Sequence, residues 1–258
     1  MRRLASLVWI GCAGLAAAQP AVAPAEAPKY GPAAVRLQDD RAYLQRSAAP
    51  DFWTLMPYYL PQLTGSSCSV ASVAILMNAL RADMPLSADE KLVTEAGLLE
   101  RVRDEAWKKA AAEGGDGVSL DRLGALIERS LAAYRLGSYE VEVVHVDSTS
   151  DAMLARLRAV LARNEASADD FILIDFIQSA FTGDPEGAVG HISPIAAYEA
   201  ERGRVLVFDV DRSWYEPYWV ADRTLLEGMA ARDDEAPVSA GGKPLSRGFV
   251  HVRRRTGS

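Results

Sequence analysis

The fold is decided by the stretch Gln62-Leu-Thr-Gly-Ser-Ser-Cys68-Ser-Val-Ala-Ser-Val-Ala-Ile-Leu-Met-Asn78-Ala-Leu80. It predicts a helix from about Cys68 to Arg81, with Ser66 and Ser67 as candidate caps. Apolar side chains surround this helix almost completely, which is typical of a central, buried helix. Cys68 would then lie in the first turn, where backbone N–H groups and the helix dipole stabilise a thiolate. A buried structural cysteine is the alternative interpretation, because free cysteine is among the most buried residue types.

The length and net charge of the chain indicate a single globular domain without a nucleic-acid-binding surface. The chain has 258 residues, 49% of them hydrophobic and 24% charged, which is enough for one domain with a full core. The formal net charge of −7 argues against a nucleic-acid-binding surface, since phosphate binding relies on clustered Lys and Arg. The basic run Arg253-Arg-Arg255 is interpreted as part of a solvated tail. No nucleic-acid partner is therefore expected.

The N-terminus predicts an exported protein. Arg2 and Arg3 precede an apolar run over residues 4–18, and small residues follow, which is the pattern of a secretory signal peptide. We assign residues 1–23 to this signal, although an earlier cleavage site is compatible with the pattern. The run is shorter than the ~20 residues that a membrane helix needs, so no membrane span is expected. A periplasmic or secreted location follows, with lipoprotein processing at Cys12 as the lesser alternative.

Removal of the signal would leave Cys68 as the only cysteine of the mature chain. No intramolecular disulfide could then form, and an odd cysteine in an exported protein is a candidate reactive thiol. One cysteine and three scattered histidines do not make a zinc site. We therefore expect neither a catalytic metal nor a cofactor.

Helices dominate the first half of the chain and strands the second, which predicts an α+β fold. A flexible leader is predicted over residues 24–50, a catalytic domain over 51–253 and a tail over 254–258. Ser87-Ala-Asp-Glu90 has the form of a capping box and predicts a helix to about Ala112. Further helices are expected after Ser119 and over 149–163, and strands over 139–146, 171–177, 191–198, 204–210 and 247–252.

A thiol nucleophile needs a base and a group that orients the base. His145 and His251 lie within predicted strands and are interpreted as ordinary sheet residues. His191 follows a glycine-rich loop at the start of a strand, where an imidazole can face a cleft. Asp209, on the next strand, is the candidate orienting group.

Hairpin geometry decides whether His191 and Asp209 share a face of the sheet. They share it only if the residue numbers of paired positions have an even sum. A four-residue loop over 200–203 gives an odd sum, whereas a three-residue connection ending with a left-handed Gly203 gives an even one. The position of Gly203 favours the three-residue turn, and Asp211 has the same parity as Asp209 and is the second candidate.

Several segments form one ordered set with the Cys68 stretch. They are Gln62…Cys68-Ser-Val-Ala-Ser, Met77-Asn-Ala-Leu80, Gly190-His-Ile-Ser-Pro-Ile195, Val205-Leu-Val-Phe-Asp-Val210, Arg212, Pro217-Tyr-Trp-Val220 and Arg247-Gly-Phe249. In order and spacing, over roughly residues 55–252, they resemble the catalytic domain of the phytochelatin synthase family of papain-like cysteine transpeptidases. The resemblance implies a papain-like α+β fold.

The resemblance also implies the roles of individual residues. Cys68 would be the nucleophile, His191 the general base and then acid, and Asp209 the residue that orients His191. Gln62 and the backbone N–H of Cys68 would stabilise the tetrahedral oxyanion.

The family's substrate-binding residues fall near the end of the domain. An Asp and an Arg that hold the α-amino and α-carboxylate groups of a γ-glutamyl substrate correspond to Asp233 and Arg247. Arginine offers a carboxylate a bidentate pair of donors. Asp234 replaces Asp233 if the register slips by one residue, and Arg212 is interpreted as structural support near Asp209.

The implied activity is that of an exported γ-glutamylcysteine dipeptidyl transpeptidase or hydrolase acting on the Cys–Gly amide of glutathione or a related γ-glutamyl peptide. The substrate could be free or a metal–thiolate complex, as in metal detoxification. Ser69 replaces the family's usual glycine, residues 171–178 and 182–189 match poorly, and no cysteine-rich segment follows; hydrolysis is therefore favoured over the synthesis of long peptides. The alternatives are a papain-like peptidase with another peptide substrate and a non-catalytic periplasmic peptide-binding protein.

Overall fold

The structure is a computed structural model, and it describes residues 28–182, 184, 187–231 and 247–255. The predicted signal peptide, Asp233 and Asp234 lie outside the described residues, so what the sequence predicts about them stays a prediction.

The described residues form helices and strands in the order expected of an α+β fold, which confirms that class. The α-helices are α1 (Ala42–Arg46), α2 (Pro50–Leu55), α3 (Cys68–Ala79), α4 (Glu95–Val102), α5 (Glu105–Ala110), α6 (Leu120–Ala133), α7 (Asp151–Asn164) and α8 (Asp222–Ala230). The strands are β1 (Ala34–Arg36), β2 (Tyr139–His145), β3 (Asp170–Ile177), β4 (Gly190–Glu199), β5 (Arg204–Val207), β6 (Tyr218–Ala221) and β7 (Gly248–Arg254). Short 3₁₀ turns follow α2 and β3, at Met56–Tyr58 and Gln178–Ala180.

The strands form one antiparallel sheet in the order β1-β6-β5-β4-β3-β7-β2, with a hydrophobic core on each face. Phe171 and Leu173 of β3 pack into the core that contains α3 and α6. Ile172 and Ile174 pack into the opposite core, with α7 and α8. A strand buried on both faces must be apolar at nearly every position, which explains why Asp170 and Asp175 are the only polar residues of β3.

Helix α3 is buried along its whole length, as the sequence predicts. Its few polar side chains all find partners. Ser72 Oγ donates to the carbonyl oxygen of Ile192 at 2.9 Å, and the Asn78 amide makes two hydrogen bonds of 2.8 Å with the backbone of Val93. The Ser72 bond fixes the helix against β4, the strand that carries the predicted base, and the Asn78 bonds fix it to the segment before α4.

The prediction of one helix from Ser87 to about Ala112 is wrong. Glu90 forms an ion pair with Arg81 and so does not return to cap Ser87. Helix α4 begins later, where Thr94 Oγ1 accepts a hydrogen bond from Gly97 N at 3.1 Å.

A left-handed residue divides the predicted helix again. Arg103 has a φ of 54° and ends α4. Asp104 then caps α5 by accepting a hydrogen bond from Trp107 N at 2.9 Å. This break lets Trp107 turn inward, where its side chain is fully buried.

The prediction of a flexible leader over residues 24–50 is wrong for its described part. Strand β1 pairs with β6, and Trp219 Nε1 donates to the carbonyl oxygen of Asp40 at 3.0 Å. The Asp40 carboxylate also pairs with Arg204 at 2.8 Å. Edge-strand pairing uses backbone groups, which the Ala- and Pro-rich composition of the leader does not reveal.

The β4–β5 hairpin corrects the predicted turn. Glu199 pairs with Arg204 across a four-residue loop, although Gly203 does adopt the left-handed conformation, with a φ of 57°. The register then shifts by one between Ile195 and Ala197, where Ala196 is the extra residue of a β-bulge. The bulge, rather than the turn, restores the even parity.

Among the described residues, no helix combines the length and hydropathy needed to cross a membrane.

Candidate active site

Cys68 is the first residue of α3, as predicted, and its side chain is 8% exposed. Ser67 occupies the N-cap position, but its side chain makes no capping hydrogen bond to the helix. Ser66 is not a cap either, because its hydroxyl donates to the carbonyl oxygen of Gly115 at 2.6 Å. No serine hydroxyl therefore covers the N–H groups beside the Cys68 thiol, where an anion would be stabilised.

His191 and Asp209 meet as the sequence predicts. His191 Nε2 lies 2.8 Å from Asp209 Oδ1, and both side chains are buried. The imidazole packs edge-on against Phe176, its cross-strand neighbour on β3. Cys68 is also near enough to His191 to contribute to the raised pKa of the imidazole. The structure thus brings the predicted nucleophile, base and orienting group into one contact chain.

Asp209 lies two residues beyond the end of β5 rather than in the middle of a strand, and its carboxylate is held from several directions. Oδ2 accepts hydrogen bonds from Tyr218 Oη at 2.6 Å and from Gln178 Nε2 at 3.2 Å. Oδ1 accepts from the backbone N–H of Asp211 at 2.9 Å. Tyr218 and Gln178 are site residues that sequence reasoning missed. Only the position of Tyr218 in the Pro217–Val220 segment hinted at its role.

For His191 and for Asp209, the partner's charge and the surrounding hydrogen bonds together shift the pKa more than burial does. Burial alone would lower the pKa of His191, but the Asp209 carboxylate raises it well above its usual value. Burial would likewise raise the pKa of Asp209, yet His191 and the Tyr218 hydroxyl hold it below its ordinary range. Burial and the adjacent Asp209 raise the pKa of Tyr218, which keeps it a hydrogen-bond donor. The pair therefore favours an imidazolium beside Cys68, which stabilises a thiolate.

Gln62 is fixed to the segment after β5 that carries Asp209. Its backbone N–H donates to the carbonyl oxygen of Val210 at 2.8 Å, next to Asp209. Its side-chain oxygen is buried without a hydrogen-bond partner among the described residues. The loop that leads from Gln62 to Cys68 is therefore tied to the segment that positions His191.

Arg247 lies beside the start of β4. Its Nε is 3.4 Å from Asp175 Oδ1 on β3, and its Nη1 donates to the carbonyl oxygen of Ala231 at 3.3 Å. A Cβ atom added to Gly190 would lie only 2.9 Å from Arg247 Nη2. Since Gly190 directly precedes His191, a glycine here lets the guanidinium approach the start of the strand that carries His191.

Tyr59 links two further segments of the site. The Arg212 guanidinium stacks on the Tyr59 ring, 4.6 Å from its centroid. The Tyr59 hydroxyl donates a hydrogen bond to the carbonyl oxygen of Asp209. Arg212 thus supports the Asp209 segment through Tyr59, in agreement with the sequence interpretation.

Ser69 makes a side-chain hydrogen bond that a glycine at this position could not make. Its hydroxyl accepts a hydrogen bond from Trp107 Nε1 at 2.9 Å. Both side chains are buried, so the bond satisfies an indole N–H that would otherwise be costly to bury.

The other two histidines are ordinary sheet residues, as expected. His145 Nε2 lies 2.8 Å from Asp121 Oδ1, and His251 pairs with Asp170. Within the described ranges, no group of three or more His, Cys, Asp or Glu side chains is placed to hold a metal ion.

A cysteine at the start of a buried central helix, facing a His–Asp pair on an antiparallel sheet, defines the papain-like class. The chain belongs to the phytochelatin synthase family, because residues 36–242 match the family of that description.

Individual relatives agree with this assignment. The chain is 27% identical over 215 residues to glutathione gamma-glutamylcysteinyltransferase 1 of Triticum aestivum, a match that covers 83% of this chain and 38% of the relative. It is 26% identical over 218 residues to the enzyme of the same name from Arabidopsis thaliana, covering 82% of this chain and 39% of the relative. The chain thus spans about two-fifths of the length of these relatives.

A solved structure, the Pseudomonas avirulence protein AvrPphB, is 12% identical, with a TM-score of 0.31. That match covers 78% of this chain and 98% of AvrPphB, and the likeness is too distant to support an inference.

Proposed function

We propose that this chain is a cysteine γ-glutamylcysteine dipeptidyl transpeptidase or hydrolase that cleaves the Cys–Gly amide of glutathione. The contact of Cys68 with the His191–Asp209 pair carries the proposal. The relatives named as glutathione gamma-glutamylcysteinyltransferases support the choice of substrate.

The first half-reaction forms an acyl-enzyme. The Cys68 thiolate attacks the carbonyl carbon of the Cys–Gly amide, and the electron pair of the C=O bond moves to oxygen. Gln62 and the Cys68 N–H stabilise this oxyanion, as donors in such a hole do. The C–N bond then breaks, His191 gives its proton to the departing glycine amine, and γ-glutamylcysteine remains as a thioester on Cys68.

The second half-reaction returns the free enzyme. His191, now neutral, takes a proton from water, and the hydroxide attacks the thioester to release γ-glutamylcysteine. The amino group of a second glutathione can attack instead, and this gives a peptide with one more γ-glutamylcysteine unit. Asp209 holds His191 in one orientation through both proton transfers.

Arg247 is the proposed partner of the substrate's γ-glutamyl α-carboxylate. It is about nine-tenths buried and lies against Gly190, next to the base. A guanidinium can bind a carboxylate with two parallel hydrogen bonds. Asp233, outside the described residues, is the proposed partner of the α-amino group.

Export completes the proposal, with residues 1–23 removed as a signal peptide. Its support is the pattern of Arg2 and Arg3 before the apolar run of residues 4–18. The mass of the protein purified from a secreting host tests it. A mature chain that begins near residue 24 is expected, and a chain that retains residue 2 contradicts it. Metal would enter only as a thiolate complex of the substrate.

The substrate test compares glutathione with Cys-Gly, which lacks the γ-glutamyl end. Mass spectrometry of the products should show glycine and γ-glutamylcysteine from glutathione, with a transfer product at high glutathione concentration. Cys-Gly should be a far poorer substrate, because remote binding energy positions the scissile amide. Equal cleavage of both would replace the proposal with a general peptidase. Cleavage of neither would refute glutathione as the substrate.

A further inference from the structure

The loop from Gln62 to Cys68 rests on a buried carboxylate from another helix. Glu95, in the first turn of α4, is 5% exposed. Its Oε1 accepts hydrogen bonds from the backbone N–H of Leu63 at 3.0 Å and from Ser67 Oγ at 3.2 Å. The carboxylate therefore contacts the residue after Gln62 and the residue before Cys68.

Ser67 closes the loop on itself. Its Oγ accepts hydrogen bonds from the backbone N–H groups of Leu63 at 3.0 Å and Thr64 at 3.1 Å. A serine at this position would ordinarily bond to the N–H groups of its own helix. Here it faces the loop instead, and its hydroxyl can donate to Glu95 Oε1 at 3.2 Å or to the carbonyl oxygen of Thr64 at 3.4 Å, of which Glu95 is the nearer.

The far side of the loop is held by backbone carbonyls. Thr64 Oγ1 donates to Ala111 at 2.7 Å, and Ser66 Oγ donates to Gly115 at 2.6 Å. These contacts fix the position of the loop but do not reach its two ends. The ends, which carry Gln62 and the Cys68 N–H, are brought into register by Ser67 and Glu95.

We infer that Ser67 and Glu95 are positioning residues that set the distance between the two oxyanion donors, the Gln62 side chain and the Cys68 N–H. The inference rests on the proposed function for the roles of these donors. An oxyanion hole works only when both donors are aimed at one point before the charge develops. A misplacement of about 1 Å at such a site can cost roughly 100-fold in rate.

The role needs an acceptor oxygen rather than a negative charge. Burial raises the pKa of Glu95, against the effect of its bonds to Ser67 and Leu63. Glutamine keeps the acceptor oxygen and the length of the side chain. We therefore expect Glu95→Gln to keep most of the function that Glu95→Ala and Ser67→Ala lose.

Two reactions of Cys68 distinguish a loss of oxyanion-donor alignment from a general disruption of the site. Acylation by p-nitrophenyl acetate passes through a tetrahedral oxyanion, whereas alkylation by iodoacetamide is a direct displacement without one. Ser67→Ala and Glu95→Ala should slow acylation by about 10- to 100-fold. Their alkylation rates should stay at the wild-type value. With glutathione, kcat should fall while KM stays unchanged, since the lost interaction exists only in the transition state.

The matched control is Glu100→Gln, an exposed glutamate on the same helix. It should leave both reactions unchanged. If Glu95→Ala does not fold, Ser67→Ala carries the test, with melting temperatures recorded for each variant. Equal losses in acylation and alkylation, or no loss in acylation, would overturn the inference.

The outcome is independent of the substrate assignment. If the wild type is acylated by the ester but does not cleave glutathione, the proposed function fails alone. If it cleaves glutathione and Ser67→Ala is acylated at the wild-type rate, the positioning role fails alone.

Discussion

The backbone N–H of Asp211 donates to Asp209 Oδ1 at 2.9 Å, and the same oxygen faces His191 Nε2. Asp211 therefore supports the Asp209 carboxylate through its main chain, which any residue except proline could do. Its own carboxyl group is half-buried, and burial raises its pKa. The two aspartates, which the sequence could not fully separate, should respond very differently to mutation.

Substitution of each aspartate by asparagine should separate their roles. Asp209→Asn should lower kcat/KM by roughly 10²- to 10⁴-fold, because the orientation and charge that hold the imidazolium are lost. Asp211→Asn should remain close to wild type, since its backbone bond survives. Cys68→Ser and His191→Ala should abolish turnover while far-UV circular dichroism stays unchanged. An inactive Asp211→Asn beside an active Asp209→Asn would reverse the assignment.

Alkylation against pH tests the thiolate at Cys68. The raised pKa of His191 keeps the imidazole protonated at neutral pH, so the thiolate is stabilised by a neighbouring cation. Iodoacetamide should therefore react readily well below pH 8, and His191→Ala should move the rise in rate towards the pH of a free thiol, about 8.5. Because Cys68 is the only cysteine after the predicted signal, the mass increase reports on it alone. A wild-type rate that rises only near that pH of about 8.5 would contradict the assignment.

The approach of Arg247 to Gly190 can be tested from both sides. Arg247→Ala should lower kcat/KM for glutathione by about 10- to 150-fold, the equivalent of a charge-assisted hydrogen bond worth about 1.5–3 kcal/mol. It should reduce the preference for glutathione over Cys-Gly. Gly190→Ala should act in the same direction but less strongly, because the new methyl group displaces only the end of a flexible side chain. The exposed Arg156→Ala is the control. An unchanged preference in Arg247→Ala would contradict its role.

The buried carboxyl group of Asp51 should make the stability of the folded protein depend on pH. The side chain is fully buried, and burial, with the charges of Asp170 and Glu165, raises its pKa well above the usual 3.8. The unfolded chain releases this proton above about pH 4, whereas the folded protein retains it, so the cost to folding grows as the pH rises.

Asp51→Asn removes this cost because the amide is neutral at every pH. The difference in melting temperature between Asp51→Asn and wild type should therefore be more positive at pH 7 than at pH 4, by about 2–4 °C for each kcal/mol. Differential scanning fluorimetry measures it, with the exposed Asp116→Asn as the control. A difference that is the same at both pH values would mean that Asp51 ionises in the folded protein.

Local patterns in the sequence were sufficient to predict where much of this site lies in the fold. A helix that is apolar nearly all round must be buried, and a cysteine that begins it lies at the helix N-terminus. A glycine-rich loop before a strand placed His191 at the start of that strand. These inferences succeed because helix and strand periodicity is encoded by neighbouring residues.

Pairings between distant segments were decided by the tertiary structure. Nothing local marks Ala196 as an extra residue, because a bulge is defined by what the partner strand does. The bulge is nevertheless what allows His191 and Asp209 to share a face. Likewise, the sequence placed Ser67 as a helix cap, but the presence of Glu95 offered its hydroxyl a better buried partner.

The same division holds for substrate binding. The sequence supplied Arg247 by resemblance, but only the pairing of β3 with both β4 and β7 brings its guanidinium against Gly190. Residue types and spacing therefore predicted the main groups of the candidate site, although they did not reveal Tyr218 and Gln178. Their distances and orientations depend on hydrogen bonds and contacts between segments far apart in the chain, which only the folded structure brings together.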